Sequence, residues 1–100
     1  MKKQYLKNRE VCKITFQIKD NINGVEKARI IGDFNNWDIQ SEPMKKLKTG
    51  GFSQTINLNA GKSYQFKYLI NDSQWINEPE ADQLVPNGIG EGEFNSLIVL

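Results

Sequence analysis

Two stretches of this chain alternate apolar and polar residues with a period of two, and no stretch sustains the 3.6-residue period of an amphipathic helix. In residues 11–19, Cys12, Ile14, Phe16 and Ile18 share one face, with Lys13, Thr15, Gln17 and Lys19 on the other. In residues 63–70, Tyr64, Phe66, Tyr68 and Ile70 oppose Ser63, Gln65, Lys67 and Leu69. A strand of this kind has one apolar face and needs a second layer to cover it, the situation of an antiparallel sheet packed on one side. Weaker strand signals fill the rest. Residues 27–34 read as a strand that ends at an Asn-Asn-Trp turn. Phe52, Ile56 and Leu58 mark another, with Gln54 breaking the apolar face, and residues 95–100 form the last.

Turn chemistry separates these runs. Residues 20–24, Gly50-Gly51, residues 59–62 and Asn71-Asp72-Ser73 all read as tight connections. Residues 39–48 are expected to be irregular because Pro43 opposes strand pairing, with Met44 and Leu47 turned inward. Residues 77–93, with Pro79, Pro86, Gly88, Gly90 and Gly92, read as a long polar loop, and residues 1–10 as a flexible lead-in. Short strands with turn signals about every ten residues predict an all-β antiparallel sandwich or barrel. One domain over residues 11–100 suits a chain of 100 residues.

Composition narrows the chemistry. The net charge is +1, so no strong field points to nucleic acid or an anionic membrane. The chain has no histidine, which removes the usual neutral-pH proton carrier and the commonest metal ligand. Its one cysteine, Cys12, lies on the apolar face of a strand. No phosphate-cradling glycine loop sits between a strand and a helix. Asp33, Asp38, Glu78, Glu80 and Asp82 could supply a glycosidase pair, but acids on loops are expected of any solvated surface. The expectation is a non-catalytic, cytoplasmic protein with no cofactor and no metal.

What remains is a pair of tryptophans. Trp37 follows the polar turn Asn35-Asn36, and Trp75 follows the hairpin signal at 71–73. Lys67 is out of phase with Tyr64, Phe66 and Tyr68, so it should face solvent if they face the core. Flat rings flanked by lysine and asparagine suit a sugar, whose C–H faces are apolar and whose edges are hydroxyls. The competing reading is that one or both rings plug the sandwich core, as a buried Trp does in some β-sandwiches.

The ordered pattern Gly32-Asp33-Phe34-Asn35-Asn36-Trp37, Pro43-Met44, Gly51-Phe52, Tyr64-Gln65-Phe66-Lys67-Tyr68, Gln74-Trp75, Glu78-Pro79 and Asn95-Ser96 resembles carbohydrate-binding module family 48. That family includes the glycogen-binding domain of the AMP-activated protein kinase β subunit and the N-terminal, early-set domains of isoamylases. The resemblance spans roughly residues 11–100. It implies an immunoglobulin-like β-sandwich and binding of α-1,4-glucans such as glycogen, starch or maltodextrin. By position, Trp37 and Trp75 match the family's stacking tryptophans, and Lys67 and Asn95 match residues that hydrogen-bond sugar hydroxyls. The chain departs from the pattern in two places. The run Ile70–Trp75 is one residue longer than the family's usual hairpin, and a slip of one residue would turn Trp75 to the other face unless a bulge absorbs it. The loop 86–94 offers no matching threonine, and Ile89 or Glu91 is expected in its place. The alternative function is a packing module without sugar binding, docked on a glucan-metabolising enzyme or on a second copy of itself.

Overall fold

The computed structural model of the chain describes residues 1–19, 24–88 and 92–100. The two stretches that alternate in the sequence form strands of eight residues, and residues 52–59 form a third of the same length. In chain order the elements are β1 (Lys2–Tyr5), β2 (Val11–Ile18), β3 (Ala28–Gly32), a single 3-10 turn (Asp33–Asn35), β4 (Lys45–Lys46), β5 (Phe52–Asn59), β6 (Ser63–Ile70), β7 (Gln74–Ile76), β8 (Gln83–Pro86) and β9 (Phe94–Val99). They form two antiparallel sheets, ordered β1-β2-β5-β4 and β3-β6-β9-β8, with β7 paired to the far end of β6. The fold is an all-β sandwich.

The core lies between the sheets. One sheet contributes Cys12, Ile14, Phe16 and Ile18 from β2 with Phe52 and Leu58 from β5; the other contributes Ala28, Ile30, Phe66, Tyr68, Ile70 and Ile98. Met44 closes one side, as expected from the sequence, while Leu47 is only half-buried. At the centre Phe66 meets Phe16 edge-on at 5.1 Å between centroids and Tyr68 at 5.9 Å. Gln54, directly opposite Phe16 on β5, is the one polar interruption of that face, and its Oε1 has no hydrogen-bond partner among the described residues.

A second polar group enters the core by a different route. Tyr68 donates its hydroxyl to Glu78 Oε2, and the other Glu78 oxygen accepts the Glu80 amide at 3.0 Å. Burial, and then the neighbouring Glu78 carboxylate, push the Tyr68 hydroxyl well above its ordinary pKa, so it stays a donor. The Glu78 amide in turn donates to Ser96 Oγ at 2.9 Å, which fastens the chain after β7 to β9.

Four expectations from the sequence change. Residues 1–10 are not a free lead-in: β1 pairs with β2 along Lys2–Thr15 to Tyr5–Cys12, and Lys3 Nζ reaches Asp82 at 2.7 Å. Polar strands at a sheet edge show no apolar alternation, so β1 has no period to read. The loop 77–93 contains β8, which pairs with β9 from Gln83–Leu97 to Pro86–Phe94. Its proline lies at the strand's end on the sheet edge, where a missing N–H is tolerated. The strand over 27–34 stops at Gly32. The stretch 39–48 is not wholly irregular: past Pro43, Lys45 and Lys46 pair with Ser53 and Phe52 as β4, an exposed two-residue edge strand too short to show a period. The turn expected at 20–24 lies, but for Gly24, outside the described residues.

Gly32 ends β3 for a reason of space rather than of backbone freedom. A Cβ there would stand 2.5 Å from the Gln65 carbonyl oxygen and 2.7 Å from Phe66 Cβ on the adjacent strand. Gly32→Ala is therefore expected to destabilise the fold by about 1–3 kcal/mol, the usual range for overpacking, and to displace the turn that follows. Urea denaturation with near-ultraviolet circular dichroism would register both effects.

Candidate functional site

The outer face of the second sheet carries the residues out of phase with the core. On β6 these are Gln65, Lys67 and Leu69. Their cross-strand partners on the same face are Leu97 on β9, Ile31 on β3 and Trp75 on β7 respectively. This face is not simply wet. Ile31 is fully buried and Leu69 nearly so, although neither belongs to the core between the sheets.

β6 has two edges. β3 occupies one along its whole paired length, so β9 and β7 share the other, β9 against residues 63–66 and β7 against residues 68–70. Lys67 sits at the junction. Its ammonium does not extend into solvent as the alternation alone suggested. It is only 9% exposed and donates to the Phe94 carbonyl at 3.0 Å, with Glu93 Oε2 at 4.0 Å. The gap between two strands on one edge leaves a carbonyl without a ladder partner, and Lys67 supplies the donor. Asn77 Nδ2 also donates to that oxygen, at 3.1 Å.

Trp37 is held by the turn that precedes it. Asn35 closes the turn by accepting the Gly32 amide at 3.0 Å and donating to the Ile30 carbonyl at 2.9 Å. Asn36 and Trp37 then both take left-handed backbone, with φ of 58° and 56°. That region is natural for asparagine and costly for a bulky side chain. Asp33 holds the result in place: one carboxylate oxygen accepts the Trp37 indole N–H at 2.9 Å, the other the Gln65 amide on β6 at 2.7 Å. The ring is half-buried and lies outside the core between the sheets.

Trp75 is placed by the hairpin between β6 and β7. Asn71 and Asp72 adopt left-handed backbone in succession, φ 50° and 62°, and the Ser73 amide donates back to the Ile70 carbonyl at 3.0 Å. With the turn closed in this way, Trp75 pairs opposite Leu69 and shares the outer face with Lys67. The turn is anchored sideways. Asn71 Oδ1 accepts the amides of Glu26 and Lys27, and Asp72 pairs with Lys27 and Arg29. Lys27, with Arg29 beside it, holds the Asp72 carboxyl below the usual carboxylate range. Trp75 is 41% exposed.

Asn95 is as little exposed as Lys67. It is 9% exposed, donates to Gln65 Oε1 at 3.0 Å and accepts from Asn87 Nδ2 at 3.3 Å. Its amide is thus oriented by neighbours on both sides.

Trp37, Lys67, Trp75 and Asn95 line one open cleft of about 470 Å³, together with Asn87 and Glu93. The last two escaped the sequence reading, which took residues 77–93 as one loop. Only the pairing of the strands brings them in: continuing the β8–β9 register from Val85–Asn95 by two residues on each strand sets Asn87 opposite Glu93 on the same face. The Asn87 amide does donate to the Glu93 carbonyl, at 3.2 Å. Ile89 and Glu91, expected from the resemblance to take a contact position, lie outside the described residues. Among the described residues the cleft thus combines two indoles, a largely buried ammonium, a carboxylate and two hydrogen-bonded amides. No protein-family model matches this chain, and no curated protein matches it either.

Proposed function

We propose that this protein is a non-catalytic α-1,4-glucan-binding module of the carbohydrate-binding module family 48 type, with immunoglobulin-like connectivity. The observation that supports this reading most is the gathering of Trp37, Lys67, Trp75 and Asn95, far apart in the sequence, around one open cleft. In this reading the two indoles stack on glucose rings of a glycogen, starch or maltodextrin chain. Lys67 donates to hydroxyl groups with the N–H bonds not given to the Phe94 carbonyl. Asn95 adds a contact by sharing an atom already bonded within the protein. Pre-oriented side chains reduce the ordering cost of binding, yet an open cleft still loses much contact energy to that cost. Dissociation constants of about 10 μM to 1 mM follow, or roughly −7 to −4 kcal/mol.

Titration with maltoheptaose, followed by tryptophan fluorescence and by the two indole N–H resonances, tests the reading. A saturable response with both indoles shifted is the expected result, with cellohexaose, the β-linked control, giving none. A folded protein that responds to neither sugar would sink it and turn attention to the packing-module alternative.

A further inference from the structure

Two charged residues line the cleft, and they answer each other. Lys67 lies at its floor with a side chain 11% exposed, while Glu93 stands at its mouth with a side chain 57% exposed; their charged atoms are 4.0 Å apart. A ligand entering from solvent therefore meets the carboxylate first. The ammonium behind it has its charge already balanced, so the cleft offers an anion no net attraction.

We propose that Glu93 is the specificity-determining residue of this cleft, accepting hydrogen bonds from a pair of adjacent sugar hydroxyls and excluding glucans that carry a phosphate or other anionic group. The proposal rests on the glucan-binding reading above. A carboxylate only accepts hydrogen bonds, and it has two oxygens on one rigid group. Neighbouring hydroxyls on a pyranose ring present two donors at a matching spacing. Lys67, 4.0 Å from that carboxylate, stands close enough to donate to an oxygen of the same diol from beside it. A phosphate ester on the ring held in this way brings its negative charge inside the screening length of about 8 Å at physiological salt. The backbone bond from the Asn87 amide to the Glu93 carbonyl fixes where that carboxylate starts from.

The experiment compares maltoheptaose with maltoheptaose phosphorylated at one 6-hydroxyl, titrated into the full chain as wild type, Glu93→Gln and Glu93→Asp. Wild type is expected to prefer the neutral sugar by about tenfold, a gap that narrows in 0.5 M NaCl because the repulsion is screened. Glu93→Gln, with the same shape and no charge, should erase the preference by strengthening the phosphorylated ligand, and Glu93→Asp should keep it. A preference unchanged in Glu93→Gln, while maltoheptaose still binds, overturns the assignment of Glu93 alone. Failure of wild type to bind either sugar overturns this assignment and the glucan-binding reading together.

Discussion

Trp37→Ala is expected to weaken maltoheptaose binding by roughly thirtyfold or more, about 2 kcal/mol, the loss typical of an aromatic anchor in a binding surface. With a starting constant between about 10 μM and 1 mM, that carries the variant to the edge of what a titration can detect. The fold should survive. Trp37 lies outside the core between the sheets, and its ring is fastened by a single side-chain bond, from its indole N–H to Asp33. Removing the ring leaves Asp33 its second bond, to the Gln65 amide, and leaves the turn its two bonds from Asn35. A cost of about 1 kcal/mol, or some 4–8 °C in melting temperature for a domain of this size, is the most that loss should bring. Calorimetric melting beside sugar titration separates the two effects. A variant that fails to fold would make Trp37 a structural plug, and one that folds and binds as well as wild type would remove it from the site.

The largest stability effect belongs to Phe66. It is fully buried, its ring lies within 5.1–6.4 Å of Phe16, Tyr68 and Phe34, and its strand is the one to which β3, β7 and β9 all pair. Phe66→Ala should cost about 3–5 kcal/mol, because the rings around it are held by both sheets and cannot collapse into the space. Domains of this kind hold about 5–15 kcal/mol in total, so the variant should melt roughly 15–30 °C lower or be unfolded at room temperature. A drop of only a few degrees in thermal denaturation would mean that the sheets close over the cavity and that the aromatic cluster is not the keystone it looks. Any loss of sugar binding in this variant should track the unfolded fraction, in contrast with Trp37→Ala.

Most of the fold could be read in the sequence, because burial on one face of a strand writes a period of two into the chain. β2 and β6 were legible for that reason, and their inward residues are those of the core. β1 and β8 were not. Both are edge strands, and a short polar edge carries no alternation, so its pairing depends on what the neighbouring strand offers. Ile31 and Lys67 mark the same limit on the outer face. Alternation placed Lys67 away from the core, and it said neither that its ammonium would be buried against the Phe94 carbonyl nor that its cross-strand partner Ile31 would be fully covered.

The candidate site divides along this line. Residue type and phase were enough to single out Trp37, Lys67 and Trp75, whereas Asn95 came in only through the resemblance to carbohydrate-binding module family 48. Their sharing one cleft was decided by tertiary structure. Two left-handed residues in each of two turns set the direction of the indoles, and β9 gives way to β7 along one edge of β6 beside Lys67. Glu93 and Asn87 entered only through the β8–β9 register. Local chemistry follows from the identity of a residue, whereas which residues meet depends on pairings between strands tens of residues apart, and those are fixed by the packing of the whole sandwich.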